Sequence, residues 1–453
     1  MKEALKRYKE ALMPRRVVVT GLGMVSPLGP NVEISWRRLI AGETGIVPID
    51  MPFVKNVKVA GVVSDFDPAV ALKGFVEKKD LRRISRPAQF AAAAAIEACR
   101  NSGLIDEENK VKDGINPNGV SLRIATGVGG GFHISKVSEV AKAGGDSSPF
   151  DVLQILSGRV ASVPGMKIGF KGSVEAPEAE CAGANMAITD GEKEIVSDSE
   201  VDFVLVGGAE STIEHVSLNV FDGAKALSYE ADPKKASRPF DKNRNGFVMG
   251  EGAAILILEE KRHAEKRGAK IYAELVGYGN TSDAYHDTAP SPDGEGAIRA
   301  MEKAIKRMGG LPKKGLIFFI AHGTATEKND PIELSAINKV MEKHKHKDFA
   351  VSSPKGATGH PLAAAGGFGA VFGLKAMEEE ILPPTINLED PIDEARGIKI
   401  IANTAEKGKP VLVFSNALGF GGINSVIVFK KYNRGVLVNI ERFVKKVAPF
   451  IAK

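Results

Sequence analysis

Apolar runs alternate with helical stretches along almost the whole chain: LRIATGVGGG, VDFVLVGGAES, AAILILEE, AELVGYG, GLIFFIAHGTAT, FAVSSPKG, VLVFSNALGFGG and NSVIVFKK. Continuous apolar runs are the mark of strands buried on both faces. Interleaved with helices, they specify an α/β fold whose sheets are covered by helices. The compact part opens at RRVVVTGLGMVSPLG, a buried strand running into a glycine-rich turn, after a charged helical extension, MKEALKRYKEAL.

At 453 residues the chain exceeds one small core, so one large or two medium domains are expected. An internal echo favours two halves. A segment ending at Cys181 opens onto AGANMAITDGEKEI, and AVSSPKGATGH opens onto PLAAAGGFGAVFGLKAMEE. Each half then closes with a glycine-rich hairpin, GFVMGEGAAILILEE and ALGFGGINSVIVFKK. The expected division is an extension over 1–14, halves over 15–265 and 266–432, and a tail over 433–453. In the tail, Val436, Ile440, Phe443, Val447 and Phe450 fall at helical spacing with Arg442, Lys445 and Lys446 interleaved, which predicts an amphipathic basic helix ended or kinked by Pro449.

The charge balance of +5 is too mild to argue for nucleic acid but leaves room for a basic patch facing an acidic partner. No signal peptide is expected, and no apolar run approaches the roughly 18 residues that a spanning helix needs. Two cysteines, Cys99 and Cys181, give no disulfide framework and fit a reducing cytosol. Cys99, in FAAAAAIEACR, reads as plain core.

Of eight histidines, His344 and His346 sit in the charge run EKHKHKD, read as a solvated loop, and His133, His215, His263 and His286 have no local partner pattern. With two cysteines, no closed zinc site is indicated. His322 and His360 stand apart. The first ends a buried strand in IFFIAHGTAT; the second precedes Pro361 at a helix start, five residues after Lys355. Both can be aimed into a shared cleft. If AGANMAITDGEKEI is a helix, Cys181 sits at its N-terminus, where unpaired N–H groups favour an anion and lower a thiol pKa. One cysteine with two neutral histidines suits carbon–carbon bond formation through an acyl enzyme.

From Arg15 to Lys431 the chain resembles the β-ketoacyl-(acyl carrier protein) synthases of the KAS I/II type, in the thiolase-like superfamily. The resemblance is carried by RRVVVTGLGMVSPLG, KKDLRRISRPAQFAAAA, GVGGG, VDFVLVGGAES, RPFDKNRNGFVMGEGAA, HGTATEKNDPIE, SSPKGATGHPLAAAGG and NALGFGGIN, in that order. It implies two pseudo-repeated αβ halves forming a layered α-β-α-β-α core, and a homodimer. It also implies an acyl-accepting Cys181, a decarboxylating pair His322 and His360, and a supporting Lys355 with Asp330 or Glu333 behind it. The implied oxyanion hole uses the backbone N–H groups of Cys181 and Phe420, and Phe420 is the implied gate to the acyl chain. Thr324 and Thr326 match contacts to the phosphopantetheine arm, which arrives on the carrier protein, so no further cofactor is expected. Lys79, Arg82, Arg83 and Lys225 match docking positions for acidic acyl carrier protein. Histidine at 360, rather than asparagine, argues against the KAS III type.

One stretch departs from that family. EAPEAEC stands where the family has a small, neutral strand before the cysteine, and Pro177 makes that strand short, bulged or at an edge. With residues 178–181 extended, Cys181 and Ala179 share one face and Glu178 and Glu180 the other. The carboxylates are then expected to meet solvent or Lys and Arg side chains. The expected activity is decarboxylative Claisen condensation of an acyl-cysteine with malonyl-carrier protein in fatty acid elongation. The alternatives are a ketosynthase of a polyketide or specialised lipid pathway and a non-condensing partner subunit.

Overall fold

The computed structural model describes residues 14–433. Residues 1–13 and 434–453, which hold nearly all of the expected extension and amphipathic tail, lie outside it.

The main sheet is built from eleven strands. These are β1 (Val17–Val25), β2 (Val120–Ala125), β3 (Val174–Glu175), β4 (Phe203–Glu210), β5 (Gly252–Glu260), β6 (Ala273–Ser282), β7 (Leu316–Ile320), β8 (Phe349–Ser352), β9 (Lys399–Ile400), β10 (Pro410–Gly419) and β11 (Ile423–Lys431). From one edge the order is β3-β2-β4-β5-β1, and from the other β9-β8-β7-β10-β11-β6. With β9 set aside as an edge addition, both halves place their third, second, fourth, fifth and first strands in the same sequence. The parallel and antiparallel pairings match as well: β3 and β2 are parallel like β8 and β7, and β4–β5 is antiparallel like β10–β11. The echo in sequence is therefore a duplication in topology. The halves join where Val17–Val19 pair with Ala273–Leu275.

Six helices matter here: α1 (Arg86–Ser102), α2 (Arg159–Ile168), α3 (Gly183–Ser197), α4 (Glu295–Arg307), α5 (Asn329–Lys343) and α6 (Ala365–Glu379). They follow from the faces the strands bury. Phe203, Leu205, Ile255 and Ile257 pack outward under α1 and α2, while their neighbours Val204, Val206, Leu256 and Leu258 pack inward with Ile188 of α3 and Phe368 and Phe372 of α6. In the second half Phe318 and Ile320 join that central core, while Ile317 and Phe319 pack under α4 and α5. Period-two alternation between two apolar faces is why these strands read as continuous hydrophobic runs. Each fully buried Ile, Leu or Phe contributes about 1.5–3 kcal/mol. The layers run helix, sheet, helix, sheet, helix, an α-β-α-β-α stack.

The central layer aims the site. Helix α6 is buried from Ala365 to Met377, as a helix apolar on all sides must be. Asn185, in the first turn of α3, donates to the carbonyls of Ser415 and Ser425 in the other half, at 3.0 and 3.1 Å. Gly183 is required there, because a Cβ would come within 2.9 Å of Ala125 and 3.3 Å of Ala363.

Candidate active site

Cys181, His322 and His360 converge from three loops of the two halves. Cys181 sits in a 3-10 turn, Glu180–Ala182, that feeds directly into α3. His322 follows β7, and His360 lies in the loop before α6, its backbone bridged to Met249. All three are buried. His360 Nε2 is 3.1 Å from the Cys181 sulfur. The imidazoles meet edge to face with centroids 5.1 Å apart, and Phe247 packs edge-on to His360 at 5.2 Å.

A buried polar frame holds His322 in place. Glu333 of α5 accepts from the backbone N–H of His322 and of Gly323, each at 2.8 Å, and from Asn416 Nδ2 at 3.1 Å. Asp330 accepts from the N–H of Thr324 at 3.0 Å and of Phe240 at 2.8 Å. Lys355 donates its ammonium to the His322 carbonyl at 2.6 Å. Asp330 and Glu333 thus hold the backbone of the HGTAT turn, and their charges also act on the Lys355 ammonium, beside which one of them was expected.

Burial decides the charge states. It drives both histidines well below the ordinary imidazole range, helped by the nearby Lys355 charge, so both are neutral. Burial pulls Lys355 down to about 8. The Cys181 thiol is pushed up to about 12, first by burial, with Glu180 and Glu210 adding to the rise; Lys355 and the backbone N–H of Cys181 act against it. The expectation of a lowered thiol pKa is thus corrected: desolvation outweighs the helix start. The resting group is a thiol beside a neutral imidazole. Sulfur and two imidazole nitrogens lie within 4.8 Å of one another, a possible ligand set, but a metal cation there would meet the field of Lys355.

One cavity of about 290 Å³ is lined by Cys181, His322, His360, Thr324, Thr326, Phe420 and Lys225. The two threonine hydroxyls are 3.0 Å apart. The NALGFGG loop packs against the backbone of the turn that holds Cys181: a Cβ on Gly419 would lie 3.5 Å from the Cys181 nitrogen. Lys355 lies behind this cavity, buried. Lys79, Arg82 and Arg83 do not line it. They belong to a 3-10 turn, Lys78–Arg83, where Lys79 pairs with Glu77, Arg83 pairs with Asp80, and Arg83 stacks on Phe150 at 4.0 Å. Arg82 and Arg83 line a separate groove with Lys136 and Phe150.

Several residues here were not singled out from sequence. Phe247, Asn416 and Glu210 all lie inside motifs quoted for the resemblance, which was their only signal. Glu210 is fully buried and accepts from Gly127 N at 2.7 Å and Thr126 Oγ1 at 3.1 Å, bracing the turn after β2; burial raises it to about 7. Asn424 donates to Asp283 at 2.7 Å on the cavity wall. His133, without a partner in the sequence reading, is buried against Asp151 at 2.9 Å. His346 is no solvated loop residue: it is buried, with Nε2 3.0 Å from the Gly315 carbonyl. Cys99 is core, as expected.

The strand before Cys181 is short and at the sheet edge. The backbone from 178 to 181 is not extended, since Glu180 has φ 43° and opens the 3-10 turn. The sorting of side chains nevertheless matches the expectation: Ala179 and Cys181 are buried, and Glu178 and Glu180 face solvent.

The duplicated five-layer fold with a buried Cys–His–His cluster at the junction of its halves is that of the thiolase-like condensing enzymes. The "Beta-ketoacyl synthase, N-terminal domain" family matches residues 14–264 and its "C-terminal domain" counterpart residues 272–389. The 3-oxoacyl-[acyl-carrier-protein] synthase 2 of Vibrio harveyi is 39% identical over 92% of this chain and 99% of its own length. The protein of that name from Synechocystis is 38% identical over 93% and 99%. A ketosynthase/chain length factor structure, that of ishigamide, superposes with a TM-score of 0.82 at 30% identity over 93% of this chain and all of its own. The chain belongs to the β-ketoacyl synthase family.

Proposed function

We propose that the protein is a 3-oxoacyl-(acyl carrier protein) synthase of the KAS II type that elongates fatty acyl chains. The observation that carries this reading is the convergence of Cys181, His322 and His360 at one cavity. An acyl thioester on carrier protein is attacked by Cys181 sulfur. His360 Nε2, at 3.1 Å, takes the thiol proton as the new carbon–sulfur bond forms, so no resting thiolate is needed; the carrier's own carbon–sulfur bond then breaks, and its phosphopantetheine thiolate leaves with that proton, returning His360 to the neutral form. The backbone N–H groups of Cys181 and Phe420 receive the oxyanion. Malonyl-carrier protein enters next and loses carbon dioxide. The neutral imidazoles of His322 and His360 donate to the enolate oxygen, and the enolate carbon attacks the acyl-cysteine. The carbon–carbon bond forms, the carbon–sulfur bond to Cys181 breaks, and the departing sulfur takes up a proton from solvent, regenerating the thiol. Lys355 steadies the HGTAT turn, and its charge favours sulfur as it becomes anionic.

Thr324 and Thr326 bind the phosphopantetheine arm, which arrives on the carrier protein, and no other cofactor takes part. Phe420 gates the cavity. Acyl carrier protein docks on Lys225 at the cavity and on Lys79, Arg82 and Arg83. The protein works as a cytoplasmic homodimer. Supporting the dimer are an edge strand, β3, with both residues exposed, and uncovered apolar side chains on β3 and on the helix packed against it, Val174 and Met166. Among the described residues no helix is long and apolar enough to cross a membrane.

The test is to supply acyl- and malonyl-carrier proteins and follow carbon dioxide release and the product by mass. A 3-oxoacyl-carrier protein two carbons longer supports the reading. Acyl binding with neither decarboxylation nor product would leave a non-condensing subunit.

A further inference from the structure

The residues that depart from the family leave charges unmatched on one side of the molecule. Glu178 and Glu180 are exposed, and no cation pairs with either among the described residues. The charge that acts on Glu180 is that of Glu178, a like charge. Arg159, at the start of α2, is equally alone. Its Nε is buried with no hydrogen-bond partner, and burial, not a carboxylate, is what perturbs it. The chain order puts these groups at the same end of the sheet. Helix α2 runs from Arg159 to Ile168, the chain reverses into β3, and β3 runs back toward residues 176–180. Val152, Leu156, Met166 and Val174, in the same stretch of chain, are exposed.

We propose that Arg159 of one protomer pairs with Glu178 and Glu180 of its partner, so that the acids beside the nucleophile are neutralised only in the dimer. The proposal rests on the homodimer proposed above and adds to it the residues that set its charge complementarity. A two-fold axis makes the exchange reciprocal, giving two identical clusters per dimer. In an isolated protomer the half-buried Arg159 lacks a counterion, which is costly, and Glu178 and Glu180 repel each other at the surface. Joining two copies satisfies both deficits at once. The consequence reaches the chemistry, because Glu180 is one of the charges that holds the Cys181 thiol protonated.

The test uses charge reversal and mixing. Arg159→Glu and the double variant Glu178→Lys/Glu180→Lys are each expected to weaken the dimer at least about tenfold, read by sedimentation velocity across a concentration series. Mixing the two, with one tagged, recreates opposite charges at both clusters of the heterodimer. Recovery of wild-type affinity in the tagged–untagged species is the expected result, and iodoacetamide should then label Cys181 at the wild-type rate. Pairing within one chain predicts no rescue on mixing, and that result overturns the proposal. Variants that dimerise like wild type also overturn it while leaving the homodimer intact. A wild type monomeric at all concentrations overturns the homodimer reading itself. Unfolding curves of each variant alone identify any loss of fold, and a variant that is merely unfolded cannot be rescued by mixing.

Discussion

The two halves deliver their chemistry through equivalent strands that could hardly differ more. In the second half β8 lies between β7 and β9, is buried from Ala350 onward, and leads to Lys355 and His360 without reaching solvent. In the first, β3 has a single neighbour, exposes both residues, and leads past Pro177 and two solvent-facing carboxylates to Cys181. Duplication kept the topology and let the environments diverge. The histidine side is buried within one chain; the cysteine side keeps an exposed sheet edge. Cys181 belongs to the less protected half, yet its sulfur is buried, because the turn at Glu180 points the acids outward and the thiol inward.

The comparison breaks first on the buried side. His360→Ala removes the acceptor of the thiol proton and should lower kcat/KM for condensation by about 10²–10⁴-fold, with the fold retained by circular dichroism. Glu333→Ala should do more to stability than to contacts with substrate. It orphans the N–H groups of His322 and Gly323 and the Asn416 amide, and should cost at least about 3 kcal/mol in urea unfolding.

Lys355 sharpens the electrostatic part. Its ammonium is held down to about 8 by burial, so it is charged below that pH and neutral above it. Its charge favours the Cys181 anion, so that help disappears as pH rises through 8. Acylation by acyl-carrier protein should therefore turn downward on its alkaline side near pH 8. Lys355→Met should lower the rate at neutral pH and remove that turn. The smallest effect belongs to the exposed side. Glu180→Gln should change the stability of the chain by less than about 0.5 kcal/mol and raise the iodoacetamide rate of Cys181 only a few-fold.

Much of this was legible in the sequence, for physical reasons. Strands buried on both faces leave unbroken apolar runs, so the α/β class and the repeated halves could be read directly. His322, His360, Thr324, Thr326 and Phe420 lie in motifs whose order carries the resemblance, Cys181 ends the stretch that departs from it, and the structure gathers all six at one cavity. Burial was not legible, because it is a property of the whole packing. Position at a helix start argued for an acidic thiol, yet the core over Cys181 reverses the sign. The same blindness placed His346 in solvent and left His133 without Asp151. Spatial grouping of separate surface charges was also out of reach: Lys225 lines the cavity, while Arg82 and Arg83 line a different groove. The acids at 178 and 180 were visible, but Arg159 became relevant only once its lack of a partner could be seen.

The central claim is that a buried, protonated Cys181 accepts the acyl chain with His360 as its base. Incubation with acyl-carrier protein followed by intact-mass measurement tests it directly. The account predicts one acyl adduct per chain in the wild type, none in Cys181→Ala, and strongly slowed formation in His360→Ala. An adduct that persists in Cys181→Ala, or a wild type that takes up no acyl group, would contradict it.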